Sequence, residues 1–386
     1  MIPLPNARPS FVLALAASAL LVACGGDGGG STAGAGGTTC PPGDTYGSGT
    51  CSGGTGTGGY HATALVSDVA GAAAHQDAHL VNAWGLAFNP TGFSWVSNAG
   101  TSSSTLYDGN GVPQPLVVTI DAGANGGSHP SGIVFNGTSD FAIASGGATG
   151  GAPFIFATLE GQIDAWAPSV DGTHALVEVD NGAAGAGYTG LAIGTSGASN
   201  LIYAANFAAG TVDVFDARYA PVTTTGGFVD PTLPAGYAPF GIQQIAGKIY
   251  VAYAKKDPAT GDEMHAAGLG LVDVFDAQGT LLTHLVAAGG ALDAPWGLAM
   301  APSGFGALSG MLLVGNFGDG TIHAYDPATG AAVGALDDAS GAPLTVDGLW
   351  ALQFGNGVNA QPTTTLFYTA GPSDETHGRY GRIDAN

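Results

Sequence analysis

Residues 201–217, LIYAANFAAGTVDVFDA, consist of an alternating apolar strand, a short turn that contains glycine, and a second alternating strand. This is the pattern of a β-hairpin. The chain repeats it as MLLVGNFGDGTIHAY at 311–325 and more loosely as FSWVSNAGTSSSTLY at 93–107, and VDVFDA returns at 272–277. A hairpin that returns about every 50 residues indicates a repeat architecture.

A second element, a glycine within a short apolar strand, precedes each hairpin. Its six copies are WGLA at 84–87, SGI at 131–133, TGLA at 189–192, FGI at 240–242, WGLA at 296–299 and GLWA at 348–351. A further strand, such as LLTHLV at 281–286, ends several units. Units of four strands at this spacing are typical of the blades of a β-propeller.

The last unit runs out after three strands, while the first unit has an extra strand, TALVS at 63–67, ahead of it. We therefore predict an all-β, six-bladed β-propeller with four strands per blade, formed as one domain by residues 60–386. The N-terminal strand would close the ring and cover its free edges. A parallel α/β fold is disfavoured because hardly any stretch has the apolar period of a helix.

Composition limits the partners of the protein. Its 386 residues contain seven Lys+Arg against 29 Asp+Glu, which gives a formal net charge of −22. Such a charge repels nucleic acid and anionic membrane surfaces. The 67 glycines suit a chain of strands and turns.

The first 24 residues have the character of an export signal. Arg8 precedes an apolar run, 11–22, that is too short to span a membrane. The following LVAC, at 21–24, resembles the bacterial lipobox, which predicts lipidation of Cys24 and a lipid-anchored protein of the bacterial cell envelope, at the outer membrane of a Gram-negative cell. An ordinary signal peptide cut near Ala23 is the alternative.

Residues 25–59 are rich in Gly, Ser and Thr and read as a flexible tether. Cys40 and Cys51 lie in it, and in an exported chain they are candidates for a disulfide that closes a small loop. No further cysteine follows, so thiol catalysis is not expected in the predicted propeller.

Several longer motifs resemble an uncharacterised bacterial family of exported propeller proteins. They include LVNAWG at 80–85, DPTLPAGYAPF at 230–240, APWGL at 294–298 and DGLWAL at 347–352. The chain also resembles, more distantly, the NHL-type six-bladed propellers. This resemblance implies the fold and export and brings no established activity with it.

Propeller topology predicts which residues meet. Residues just before the inner strands and those in the hairpin turns should gather on one rim around the channel mouth, which is the usual place for a ligand. The rim candidates are Trp84, Asn98, His129, Glu160, Asn206, Trp296, Asn316 and Asp347. The asparagines either coordinate a ligand or stabilise their own turns, and the tryptophans either stack on a ligand or wedge neighbouring blades together.

Two functions follow. The first is a tethered, monomeric binding module whose rim holds a small molecule, a glycan, a peptide or an envelope protein, with contact to the membrane only through the lipid anchor. The second is a hydrolase or lyase that resembles the propeller lactonases and holds a divalent cation such as Ca²⁺ through Glu160, Asn206 and Asn316. No other cofactor is indicated. Glu263 falls in a charged insertion, KKDPATGDEM at 255–264, and we expect it to lie too far from the channel to take part.

Overall fold

The computed structural model describes residues 59–124 and 126–386, and its secondary structure is almost entirely β. The first twelve strands are β1 (Tyr60–Ser67), β2 (His75–Gln76), β3 (Ala83–Phe88), β4 (Ser94–Asn98), β5 (Ser103–Tyr107), β6 (Pro113–Ile120), β7 (Pro130–Phe135), β8 (Ala142–Ser145), β9 (Ala148–Gly151), β10 (Phe154–Thr158), β11 (Gln162–Trp166) and β12 (His174–Asp180).

The remaining strands are β13 (Tyr188–Ser196), β14 (Ser199–Asn206), β15 (Thr211–Asp216), β16 (Tyr237–Ile245), β17 (Lys248–Lys255), β18 (Gly270–Phe275), β19 (Leu281–Val286), β20 (Pro295–Met300), β21 (Leu312–Asn316), β22 (Ile322–Tyr325), β23 (Ala332–Ala335), β24 (Leu349–Phe354), β25 (Leu366–Ala370) and β26 (Arg379–Ala385). Three short 3-10 helices occupy Ala99–Thr101, Gly182–Ala184 and Gly306–Leu308. Among the described residues, no helix is both long and apolar enough to cross a membrane. The prediction of an all-β protein is confirmed.

Six strands lie side by side in a closed circle: β3, β7, β13, β16, β20 and β24, with β24 against β3. Each begins one of the repeated units. We call them the inner strands. The sheets that extend from them are not uniform, since β16–β19 and β20–β23 each form four strands, β13–β15 form three, and β3–β6 join β7 and β10–β12 in one sheet of eight. The two ends of that large sheet, β3 and β7, are neighbours.

The N-terminal strand belongs to the last sheet. Strand β1 pairs antiparallel with β26, from Tyr60 opposite Ala385 to Ser67 opposite Arg379, in the order β2-β1-β26-β25-β24. The prediction that the N-terminal strand completes the last unit is confirmed by this pairing. It also ties the two ends of the described chain together, which covers an edge that would otherwise be free to pair with other chains.

In every inner strand except β24, a glycine lets the next inner strand approach closely. A Cβ atom on Gly241 would lie 2.1 Å from the backbone oxygen of Trp296, and one on Gly297 would lie 2.5 Å from that of Trp350. No side chain fits at these distances. The contacts also correct the alignment of the sixth copy, because Trp350 and Ala351 take the places that Trp296 and Gly297 hold in the fifth, and Gly348 precedes the strand.

Apolar side chains fill the space between neighbouring sheets. Tyr250 and Val272 pack against Leu298 and Val314 of the following sheet, and all four are buried. Burial of a side chain of this size stabilises the fold by about 1.5–3 kcal/mol. The alternating pattern of the repeated hairpin therefore has a direct cause, since each strand sends alternate residues into the two flanking interfaces.

Candidate functional site

Residues from the starts of inner strands and from hairpin turns line one cavity of about 590 Å³. Trp84, Thr189 and Phe240 come from the first class, and Leu159 and Phe207 come from the second. The two classes meet on one face of the ring, as the topology predicted. We call this space the rim cavity.

The floor of the rim cavity is part of a packed group of aromatic rings, of which Trp84 and Phe240 line the cavity. Trp350 is fully buried, and its ring stacks on Trp84 with centroids 3.5 Å apart and on Phe317 at 3.9 Å. Trp296 meets Trp350 edge-on at 5.9 Å, and Phe240 lies 5.8 Å from it. These rings fill the space between the ends of the inner strands and give the cavity a rigid, apolar base.

A recurring irregularity in the inner strands aims these rings inward. The pairing register shifts between Tyr188 and Gly190, between Pro239 and Gly241, and between Pro295 and Gly297. An extra residue in one strand, a β-bulge, bends the strand and redirects a side chain. A glycine inside a strand pattern is itself a signal for such a bulge, so this feature could have been found in the sequence.

One wall of the cavity is the charged insertion that follows β17. The loop folds back on itself, since the amide of Asp257 donates to the carbonyl of Asp262 at 2.7 Å and the amide of Met264 donates to that of Lys255 at 2.7 Å. This brings Asp262, Glu263 and His265 to the cavity. The expectation that Glu263 lies too far from the channel to take part was therefore wrong, because the insertion folds back to the cavity.

Glu375 also lines the cavity, and the sequence did not single it out. Ser373, Asp374 and Glu375 all have positive φ, of 58°, 53° and 60°. Left-handed backbone is costly outside glycine and rarely occupies consecutive residues, and such strain tends to gather at functional sites. The carboxylate of Asp347 accepts a hydrogen bond of 3.0 Å from the amide of Ser373 and so supports this turn.

Two ionisable groups that line the cavity have shifted pKa values. Burial raises the pKa of Glu375, and the charge of Glu263 adds to the rise. The carboxylate of Glu263 lies 3.5 Å from Nε2 of His265 and raises the pKa of that imidazole. Shifted pKa values in a concave pocket are a physical marker of function.

The predicted asparagines lie in the turns beside the cavity but do not line it. Asn98 is fully buried and donates to the hydroxyls of Ser103 and Thr105. The side-chain oxygen of Asn206 accepts from the amides of Gly187 and Ala209. Their amide groups hold the turns together.

Asn316 is also fully buried, and its side-chain amide is likewise hydrogen-bonded to neighbouring groups. Its side-chain nitrogen donates to the carbonyl of Ala291 at 3.0 Å and to the carboxylate of Asp319 at 3.1 Å, and its oxygen accepts from the amide of Asp293.

His129 and Glu160 form a pair of their own next to the rim. One carboxylate oxygen of Glu160 contacts Nδ1 of His129, and the other accepts from the His129 amide at 2.9 Å. The contact raises the pKa of His129. Burial opposes ionisation of Glu160, yet its bonds to His129 leave the pKa of the carboxyl below its usual value.

The cation site expected from Glu160, Asn206 and Asn316 stays a prediction. In each of the three residues, a side-chain oxygen accepts a hydrogen bond from a backbone amide in the same part of the rim. Of the predicted rim residues, Trp84 lines the cavity and Asp347 supports it from behind. Cys24, Cys40 and Cys51, with the segments 1–24 and 25–58, lie outside the described residues.

Comparison with known proteins places the chain in a family. It is 32% identical over 326 residues to "Uncharacterized protein R648" of Acanthamoeba polyphaga mimivirus, covering 83% of this chain and 78% of that protein. It is 30% identical over 327 residues to "Uncharacterized protein L690" of the same virus, covering 83% and 84%. The chain belongs to the family of these viral proteins. No family model matches it.

This finding corrects two expectations. The resemblance to a bacterial exported family was wrong as an assignment, because the relatives are proteins of a giant virus. The localisation in a bacterial envelope, which was expected from the lipobox-like LVAC and a lipid on Cys24, is also wrong, because the homologues are viral. A short apolar run followed by a cysteine is a brief motif, whereas the viral similarity covers most of the chain.

Solved structures agree with the all-β, propeller-like fold. A protein of unknown function from Bacteroides thetaiotaomicron matches with a TM-score of 0.50 and 10% identity, covering 85% of this chain and 76% of that one. Streptogramin B lyase matches with a TM-score of 0.43 and 10% identity, covering 85% and 98%. At 10% identity the likeness to the Bacteroides thetaiotaomicron protein concerns the fold alone.

Proposed function

We propose that the protein is a six-bladed β-propeller that binds a small organic cation in the rim cavity. The closed circle of six inner strands supports six blades. Some of these blades have four strands, and others have a different number. The volume of about 590 Å³ falls within the range of roughly 300–1,000 Å³ that is usual for small-molecule sites.

The observation that carries the proposal is the chemistry of the cavity wall. Three acidic residues, Asp262, Glu263 and Glu375, line the cavity together with the aromatic residues Trp84, Phe207 and Phe240 and with His265. Aromatic rings attract cations through their negative faces, and partly buried carboxylates form strong, charge-assisted hydrogen bonds with ammonium or guanidinium groups. A ligand with an apolar ring and an amine satisfies both surfaces.

Phenethylammonium, phenethyl alcohol and hydrocinnamate test the proposal, because they share a ring and differ in charge. Isothermal titration calorimetry should detect phenethylammonium binding and weaker or no binding of the other two. Glu375→Gln keeps the shape of the side chain and should weaken the amine by about 10-fold or more, as expected for loss of a charged hydrogen bond.

Glu178 supplies a matched control for Glu375. It is also partly buried, and burial also raises its pKa, but it lies on β12 away from the cavity. Glu178→Gln should leave amine binding unchanged. Equal affinity for the alcohol and the amine, or an unchanged affinity in Glu375→Gln, would contradict the proposal.

A further inference from the structure

A second cluster of ionisable groups lies on the outer part of the sheet β16–β19, away from the aromatic floor. Asp273 is on β18, His284 faces it from β19 in the paired register, and Asp230 comes from the loop that precedes β16. The imidazole Nδ1 of His284 lies 2.6 Å from a carboxylate oxygen of Asp273 and 3.4 Å from one of Asp230.

The two carboxylates are buried and incompletely paired. Neither side chain exposes any surface. One oxygen of Asp230 accepts from the amide and hydroxyl of Thr232, both at 2.7 Å. Within the described chain, the other oxygen of Asp230 and one oxygen of Asp273 receive no hydrogen bond. A buried anionic oxygen without a donor costs free energy unless a cation or a proton compensates it.

The preceding repeat shows what an aspartate at this position needs. Asp213 is the counterpart of Asp273 in the VDVF motif, and it accepts hydrogen bonds from the hydroxyl of Tyr188, the amide of Asn206 and the hydroxyl of Thr211. In the next repeat the strand position of Asn206 is taken by Tyr253, so that donor is lost. A histidine and a second carboxylate stand there instead.

We propose that Asp230, Asp273 and His284 bind a divalent transition-metal cation, with Zn²⁺ as the best match. One ligand atom from each residue lies within 4.8 Å of the others. An imidazole nitrogen with two carboxylate oxygens is a donor set that Zn²⁺ accepts, and the imidazole disfavours the hard ions Ca²⁺ and Mg²⁺. The +2 charge neutralises two buried carboxylates, which one imidazolium does not.

The position of the site indicates what the metal would do. Asp230 is anchored in the long connection between β15 and β16, whereas Asp273 and His284 belong to the outer strands. A bound cation would clamp that connection to the sheet edge. The side chain of His284 is 34% exposed, so solvent reaches the cluster from that side and leaves a path for the ion.

Calorimetric titration of the chelator-treated, full-length protein with ZnCl₂ tests the proposal, with MgCl₂ and CaCl₂ as comparisons. We expect saturable Zn²⁺ binding, no comparable binding of the hard cations, and a higher melting temperature in Zn²⁺. Asp230→Asn and His284→Gln should each weaken Zn²⁺ by at least about tenfold, because each removes a ligand.

His174→Gln is the matched control, since His174 also lies on an outer strand beside an aspartate, Asp171, at 3.3 Å, and among the described residues it has no second carboxylate within ion-pair distance. It should bind Zn²⁺ as the unaltered protein does. Circular dichroism checks that each variant is folded. If the folded, unaltered protein does not bind Zn²⁺, or if folded Asp230→Asn binds it with full affinity, the assignment is overturned.

Discussion

The indole nitrogen of Trp296 donates a hydrogen bond of 2.8 Å to the backbone carbonyl of Thr189. Trp296 is the second residue of inner strand β20 and Thr189 is the second residue of β13, and β16 lies between these two strands in the ring. The bond therefore crosses part of the ring and links units that are not neighbours. It fixes the aromatic floor of the rim cavity in place.

Replacing Trp296 with phenylalanine should destabilise the protein, because it removes this bond and leaves a partly buried carbonyl without its donor. The loss should be about 1–3 kcal/mol in the free energy of unfolding, measured by urea denaturation. Trp166→Phe is the control, since the Trp166 indole nitrogen is buried and has no hydrogen-bond partner in the part of the chain that the structure describes. A smaller loss in Trp296→Phe than in Trp166→Phe would contradict the role of the bond.

The close approach of the inner strands predicts a contrast between two glycines. Gly241→Ala should cost about 1–3 kcal/mol of unfolding free energy, because the new methyl group would lie 2.1 Å from a backbone oxygen that cannot move freely. Gly194→Ala should cost little, since its nearest contact is a side-chain atom of Tyr203 at 3.4 Å. Similar melting temperatures for the two variants would show that the ring tolerates a wider spacing.

The pair of His129 and Glu160 should stabilise the fold most between pH 4.5 and 6.5. The folded pKa of His129 is raised above 6.5, so its contribution is full below that value and fades as the pH rises through the folded pKa. The folded pKa of Glu160 is lowered below 4.5, so its contribution is present above that value and fades as the pH falls.

Glu160→Gln should therefore destabilise the protein more near pH 5.5 than near pH 8.5. Because the pair is partly exposed, the loss should be at most about 1 kcal/mol. Denaturant titrations across this range measure the difference. Glu178→Gln should instead stabilise the protein at high pH, because burial raises the pKa of Glu178 and its ionisation opposes folding. A pH-independent loss in Glu160→Gln would contradict the pairing.

The raised pKa of Glu375 predicts how amine binding depends on pH. Burial holds that pKa above 4.5, so the carboxylate is protonated, and its attraction for a cation is lost, at a higher pH than for an ordinary glutamate. The affinity for phenethylammonium should fall as the pH is lowered from 8 to 5. Protonation of His265, whose pKa is also raised, lowers the affinity as well, because it adds a positive charge that repels the amine.

Two variants separate these contributions by calorimetry. Glu375→Gln should flatten most of the pH dependence, and His265→Gln should remove the remainder. An affinity that rises on acidification would contradict the assignment of Glu375 as the main carboxylate of the site.

The sequence by itself determined the local structure of the chain. Alternation of apolar residues depends only on near neighbours, and it predicted the hairpin at 201–217, its copies and the all-β fold. The glycines in or just before the inner strands were also visible, and their spacing predicted the ring of units. Trp84 was found as a cavity residue because propeller topology places its position on the rim whatever the neighbouring side chains are.

Only the tertiary structure decided which polar groups meet. Glu263 and Glu375 are separated by more than one unit in the chain and lie in connections without any repeat, so no periodicity brings them together. Asp230 reaches His284 only because a long connection folds against the outer strands. Conversely, Asn206 and Asn316 stood out in the sequence because they repeat, and they repeat because each turn needs its amide.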